Sequence, residues 1–265
     1  MLLREVEYAR PASVEEAVRL LSERDGARAL AGGQTLINVM KARAASPDML
    51  VDLNRLDELK GIDLATDGTL SLGSMVTYAE LIGSAEARAR PILGEVCAQI
   101  GDVQVRNRGT LGGNVCSNDP TNHLPPLMVA LGATMHITGP GGDRTVPADE
   151  FFLGVYLTAA GAGELLTKIT VPPGKSDGFA SVTIGKDGTC IVNAAASVNG
   201  GVRVAIGCVD AVPVLLKADS VDDVPAAVQN AKLEPPSDVH ASADYRRRLA
   251  ELAATRAAAQ AQGKS

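Results

Sequence analysis

Two glycine pairs carry the chemistry that can be read from this chain: Ala31-Gly32-Gly33-Gln34-Thr35-Leu36, and Thr110-Leu111-Gly112-Gly113-Asn114. A Gly-Gly pair lets backbone amides approach a ligand where a β-carbon would collide, and it reaches positive φ at low cost. Successive N–H groups in such a turn form a concavity for anionic oxygens. Two turns of this kind fit a long ligand held at two places, such as a dinucleotide with a central pyrophosphate. At the first turn the helix expected from Thr35 would present its free N–H groups and positive dipole end to the anion, with Gln34 and Thr35 as additional donors. A tight strand-to-helix turn without a ligand is the competing reading. The Rossmann and Walker glycine spacings are both absent, so a nucleotide held here is held by another fold.

The second turn runs into a segment dense in small polar groups, Ser117-Asn118-Asp119-Pro120-Thr121-Asn122-His123. Ser117 and Asn114 suit phosphate oxygens, and Asp119 or His123 suits ribose hydroxyls. A loop that satisfies its own backbone is the alternative. Cys116 has no His or Asp at a spacing that would make it a nucleophile and reads as a small buried thiol. His136 lies in an apolar strand pattern and reads as a satisfied histidine. Arg106 and Arg108 suit steering an anion, pairing with acids of a partner, or a solvated face.

The elements that position these residues alternate. Ser13 with Glu16 is a capping-box start, and Val14, Ala17, Val18 and Leu21 share one helical face. A strand at 28–30 feeds the first glycine turn, a helix follows over 35–43, and 49–53 is a strand, which together make an α/β lobe. A hairpin is expected across Asp67-Gly68, with helices over 77–82, 91–100 and 124–131. Strands at 134–138 and 164–171 flank a loop over 151–163. Short strands at 179–184, 191–198, 202–209 and 214–216 then precede helices near 221–230 and 242–260, which is an α+β pattern.

Composition narrows the classes. The 265 residues are 46 % hydrophobic and 21 % charged, an ordinary globular balance, with a net charge of −6 that argues against nucleic acid or an anionic membrane as partner. No apolar run approaches the ~18 residues of a membrane span, and the start of the chain lacks a signal-peptide pattern. The four cysteines form no C-x-x-C pair, so neither an iron–sulfur cluster nor a disulfide framework is expected. A cytoplasmic location follows, and the three histidines lack metal-ligand spacing.

The segments AGGQTL, VRNRGTLGGNVCSNDP and GELLTKITVP, with the terminal YRRRLAELAATRA, resemble the FAD-binding medium subunit of the molybdenum hydroxylases, the family of aerobic carbon monoxide dehydrogenases and of xanthine, aldehyde and N-heterocycle dehydrogenases. The resemblance covers nearly the whole chain. It implies an α+β fold: a two-lobed FAD-binding domain of the vanillyl-alcohol-oxidase (PCMH) type over 1–174, with lobes of about 1–56 and 57–174, and a smaller α+β domain over 175–265. Matched motif to motif, Ala31, Gly32, Gly33, Gln34, Thr35 and Leu36 would hold the pyrophosphate from one side, and Thr110, Leu111, Gly112, Gly113 and Asn114 from the other. Ser117 and Asp119 would be ligands in the following loop, Leu166 would pack near the adenine, and Ile100-Gly101 would approach the isoalloxazine. Lys186 is a candidate for charge near the flavin N1.

Two positions depart from the pattern that the resemblance implies. Relatives often carry an acid where His123 stands, and many carry an Asp followed by Tyr or Phe where this chain has Gly188-Thr189. The resemblance further implies a large subunit with a molybdenum cofactor, a small subunit with [2Fe–2S] clusters, a dimer of heterotrimers and an external electron acceptor. No catalytic acid–base residue is expected in this chain. The alternatives are a stand-alone FAD-dependent oxidase or reductase and a flavin-free structural subunit.

Overall fold

The structure is a computed structural model describing residues 3–174, 176–185 and 188–263. The chain opens with β1 (Glu7–Ala9), α1 (Val14–Glu23), β2 (Ala27–Leu30), α2 (Leu36–Lys41) and β3 (Met49–Asp52). The three strands form a parallel sheet in the order β1-β3-β2, so β2-α2-β3 is a crossover unit with the first glycine turn at its strand-to-helix corner. Ser13 Oγ accepts from the Glu16 amide, fixing the start of α1, whose Ala17, Val18 and Leu21 are buried against Val51 and Leu53. The Glu16 carboxylate reaches the Ala12 amide rather than that of Ser13.

The next segment contains β4 (Ile62–Leu64), β5 (Leu70–Gly73), α3 (Tyr78–Gly83), α4 (Ile92–Ala98), α5 (Val103–Arg106), α6 (Leu111–Ser117) and α7 (Leu124–Leu131). It continues through β6 (Thr134–Gly139), β7 (Gly142–Pro147), α8 (Ala148–Phe151), β8 (Phe152–Gly154), β9 (Leu157–Thr158) and β10 (Leu165–Val171). An antiparallel sheet in the order β4-β5-β10-β6-β7 backs the helices. Every residue of α7 is buried, as expected of a helix apolar on all sides. Its neighbours in the core include Met135 and Ile169 of this sheet and Ala195 and Ala205 of the next.

That next sheet is antiparallel, in the order β11 (Asp177–Thr183), β12 (Cys190–Val198), β13 (Val202–Gly207) and β14 (Val214–Ala218). The helices α9 (Val224–Asn230) and α10 (Ala243–Ala261) follow. Buried alanines along α10, among them Ala250, Ala254, Ala257 and Ala258, let the helix lie close on β11 and β12. The segment carrying α4 and this sheet are bolted together by a buried ion pair. Arg90 Nε and Nη2 donate to the two Asp177 carboxylate oxygens at 2.6 and 2.8 Å, and both side chains are 3 % exposed.

Four features differ from the sequence reading. Residues 111–117, read as a turn entering a loop, form α6, because Thr110 caps them and Gly112 and Gly113 are tolerated where the helix packs tightly. The polar segment before that turn is the short helix α5, capped by Asp102 Oδ1 accepting from the Val105 amide. The loop over 151–163 contains the β8–β9 hairpin. The strands β1 and β7 carry too few buried side chains to signal themselves.

Candidate functional site

The two glycine turns, separated in sequence, are neighbours in space. A β-carbon on Gly32 would lie 2.0 Å from the Arg108 carbonyl oxygen, and one on Gly113 would lie 3.5 Å from Ala31 Cβ. The corner at Ala31 is fixed from β3: Asn54 Nδ2 donates to the Ala31 carbonyl at 3.1 Å and to Asp52 Oδ1 at 2.6 Å. Gly33 turns with φ of +72°, and α2 begins directly after Thr35.

The amides of the two turns are in opposite states. At the second turn Leu111 N donates to Val76 O, Gly112 N to Ser74 O, Gly113 N to Thr110 Oγ1 and Asn114 N to Thr110 O. All four of these N–H groups are used within the protein. Among the described residues no backbone amide from Gly32 to Leu36 donates to a protein acceptor. The idea of an anion concavity formed by free amides therefore applies to the first turn and not to the second. Gly112 is instead a close-approach residue, since a β-carbon there would stand 2.6 Å from Ser74 Cβ and 2.7 Å from Ser74 O.

A cleft of about 270 Å³ opens at the first turn, lined by Gly32, Gly33, Gln34, Asn38, Lys41 and Arg108 among others. The side chains of Lys41 and Arg108 have no protein partner among the described residues. Unpaired amides at a helix start with two unpaired cations beside them suit an anion of more than one charge. Gln34 Nε2 folds back to Gly32 O at 3.2 Å, and Asn38 Nδ2 donates to Gln34 O at 2.7 Å.

The loop after α6 is tied to itself and to the β8–β9 hairpin. Ser117 Oγ donates to Asn114 O at 2.8 Å, Asp119 Oδ1 accepts from the Thr121 amide and hydroxyl, and Asp119 Oδ2 accepts from Tyr156 Oη at 2.9 Å. Asn114 is buried, and its Oδ1 has no hydrogen-bond partner. An acceptor stranded beside the paired turns is a place for a donor that the chain itself does not supply. Burial pushes up the phenol of neighbouring Tyr78; it also raises the Cys116 thiol to about 12, so Cys116 is inert as a nucleophile.

The other singled-out residues are dispersed. The carbonyls of Ile100 and Gly101 accept from Arg106 Nη1 at 3.3 and 2.6 Å, which gives Arg106 a structural task. Leu166 is buried on β10, on which α6 packs. His123 is buried at the start of α7 and faces the C-terminal sheet: its Nδ1 lies 3.3 Å from Asn193 Nδ2, and its ring meets Phe179 at 5.2 Å. His136 Nε2 bonds Thr170 Oγ1 at 3.0 Å, a satisfied histidine. Lys186 lies outside the described residues. The sequence reading missed Lys41, Asn54 and Ser74. Lys41 stands about two turns beyond Gly33, at the end of the helix that the glycines lead into, a visible signal, whereas Asn54 and Ser74 matter only through contacts distant in sequence.

Comparison with known proteins agrees on one family. Residues 4–174 match the family described as the FAD binding domain in molybdopterin dehydrogenase. The carbon monoxide dehydrogenase medium chain of Afipia carboxidovorans is 37 % identical, covering 98 % of this chain and 97 % of its own. Quinoline 2-oxidoreductase of Pseudomonas putida 86 contains a chain that superposes with a TM-score of 0.91 at 33 % identity, over 100 % of this chain and 99 % of that one. The carbon monoxide dehydrogenase of Hydrogenophaga pseudoflava, in a form lacking the Mo-pyranopterin moiety, superposes with a TM-score of 0.92 at 34 % identity, over 100 % and 99 %.

Proposed function

Because this chain belongs to the FAD-binding medium subunits of the molybdenum hydroxylases, an oxidoreductase family, we propose that it is the electron-transfer subunit of a heterotrimeric molybdenum hydroxylase. FAD supplies a carrier that takes up and releases electrons singly or in pairs. The chain's own residues bind and orient that carrier. The flavin domain extends to residue 174, and the remainder is a separate C-terminal domain.

The observation that carries this reading is the run of unpaired amides from Gly32 to Leu36 beside Lys41 and Arg108. Ala31 through Leu36 hold the pyrophosphate there. Thr110, Leu111, Gly112, Gly113 and Asn114 close the opposite side by shape, with the stranded Asn114 Oδ1 as acceptor for a ligand donor. Ser117, Asp119 and His123 hold the ribose end, Leu166 packs near the adenine, and Ile100-Gly101 lie beside the isoalloxazine.

In this reading a large subunit carries the molybdenum cofactor and selects the substrate, and a small subunit with [2Fe–2S] clusters feeds electrons to this chain. The complex is a dimer of heterotrimers in the cytoplasm that passes electrons to an external acceptor. Among the described residues no helix is long and apolar enough to cross a membrane. The relatives' names span carbon monoxide and quinoline, which supports placing substrate choice outside this chain.

The test is reduction of the purified complex by its substrate, followed in the flavin absorbance. Bleaching that needs the small subunit supports the reading. Stoichiometric absence of flavin after acid extraction, or turnover of a substrate by this chain with FAD alone, overturns it.

A further inference from the structure

The four cysteines are scattered in the sequence, yet two of them meet. Cys190 opens β12, and Cys208 directly follows β13. Two backbone irregularities bring them together. Val182 faces Val192 but Thr183 faces Cys190, so Ile191 is an extra residue, a bulge that reverses the alternation of β12. The reversal puts Cys190 on the same face of the sheet as Asn193. Cys208 in turn adopts φ of +67°, a left-handed conformation costly for a residue with a β-carbon.

At the point where they meet, Asn193 Nδ2 lies 3.4 Å from Cys190 Sγ and 3.8 Å from Cys208 Sγ. The same nitrogen is 3.2 Å from Asn122 O and 3.3 Å from His123 Nδ1, while Asn193 Oδ1 has no partner. One amide nitrogen is thus within reach of both sulfurs, and Cys190 Sγ also points to Val182 O at 3.7 Å. Arg246 Nη1 holds the backbone on both sides of the pair, donating to Ile191 O at 2.6 Å and Cys208 O at 3.3 Å. Cys97 and Cys116 have no such surroundings, and burial raises both of their thiols to about 12.

We propose that Cys190 and Cys208 form a reversible dithiol–disulfide pair, a redox-modification site on the face of the C-terminal sheet turned toward α7, oxidised by a small hydroperoxide. Hydrogen bonding from Cys208, hydrogen bonding and charge from His123, and a hydrogen bond from Asn193 hold the Cys190 thiol below its ordinary range against the effect of burial. Cys208, as donor, is raised. Asn193 Nδ2 also lies nearer Cys190 Sγ (3.4 Å) than Cys208 Sγ (3.8 Å), which makes Cys190 the attacking sulfur and Cys208 the resolving one. The Cys190 thiolate attacks the distal oxygen of hydrogen peroxide: an S–O bond forms, the O–O bond breaks, and hydroxide leaves and is protonated to water. The Cys208 sulfur then attacks the Cys190 sulfur, forming the S–S bond and expelling the sulfenic oxygen as a second water with the Cys208 proton. The balance is two thiols and one peroxide to one disulfide and two waters. Reduction requires an external dithiol, whose own oxidation to a disulfide returns both protons and both electrons. The cysteines are 3 % and 5 % exposed, so a small oxidant is selected over a bulky disulfide.

The test uses the full chain in its complex, treated with hydrogen peroxide, quenched, unfolded in an alkylating reagent and mapped by mass spectrometry. The proposal expects a Cys190–Cys208 cross-linked peptide that forms roughly tenfold or more faster than any oxidation of Cys97 or Cys116, and that disappears on treatment with dithiothreitol. In Cys208→Ser the resolving sulfur is gone, and dimedone is expected to trap a sulfenic acid at Cys190. The proposal is overturned if the wild-type pair stays fully alkylatable under peroxide. It is equally overturned if Cys190 proceeds to the sulfinic or sulfonic acid while Cys208 remains a free thiol. Because the wild-type measurement stands alone, a Cys208→Ser chain that fails to fold does not protect the proposal.

Discussion

Gly32 and the carbonyl oxygen of Arg108 approach so closely that a β-carbon on Gly32 would sit 2.0 Å from that oxygen. This single contact joins two segments distant in sequence and makes one site of the two glycine motifs. Gly32→Ala must displace the backbone at Arg108, a strain of about 1–3 kcal/mol, and is expected to weaken FAD binding roughly 10-fold or more. Flavin content of the purified variant, measured after acid release, checks this.

Lys41 and Arg108 line the same cleft with no protein partner among the described residues. Each of Lys41→Gln and Arg108→Gln is expected to weaken FAD binding by about 3- to 10-fold, with the loss shrinking as salt rises. Titrations at two ionic strengths decide it, and riboflavin, which has no pyrophosphate, should be insensitive to both changes.

Gly112 plays a different part from Gly32. Its β-carbon would collide with Ser74 backbone and side chain, at 2.7 and 2.6 Å, in a region whose amides are already satisfied. Gly112→Ala is expected to lower stability by about 1–3 kcal/mol even without flavin. Thermal unfolding of the flavin-free chain shows whether this is so.

Arg90→Ala strands the Asp177 carboxylate in a buried site and removes the donor to Ser197 Oγ. The expected loss is about 3–5 kcal/mol, and Arg90→Lys should rescue little because a single ammonium cannot span both carboxylate oxygens. Denaturant unfolding of both variants tests the pair.

Asp238 accepts from the His240 amide and from Arg246 Nη2, and these bonds hold its carboxyl down at about 2, below the ordinary 3.8. A carboxyl depressed in the folded state stabilises above its unfolded value and loses that contribution as pH falls through its folded one. Acid unfolding followed by circular dichroism should therefore steepen between about pH 4 and pH 2, and Asp238→Asn should flatten that part of the curve.

Much of the frame was legible because burial writes itself into periodicity. The buried face of α1, the apolar run of α7 and the Asp67-Gly68 hairpin follow from local pattern alone. The helix at 111–117 was not legible, because two adjacent glycines argue against a helix unless a neighbour demands the space, and that neighbour, Ser74, is far away in sequence. The site was half legible: the glycines announced an anion, but which turn keeps its amides free depends on Val76 and Ser74 consuming those of the other. The meeting of Cys190 with Cys208 was invisible, since it requires a bulge at Ile191 that no spacing rule contains.

If FAD binds as proposed, its pyrophosphate takes up the free amides from Gly32 to Leu36, whereas those from Leu111 to Asn114 are already bonded within the protein. Hydrogen–deuterium exchange of the chain with and without FAD measures this residue by residue. FAD is expected to slow exchange across Gly32–Leu36 by roughly an order of magnitude or more, while Leu111–Asn114 are slow in both states. Unchanged exchange at Gly32–Leu36 with FAD bound, or fast exchange at Leu111–Asn114 that only FAD suppresses, would contradict it.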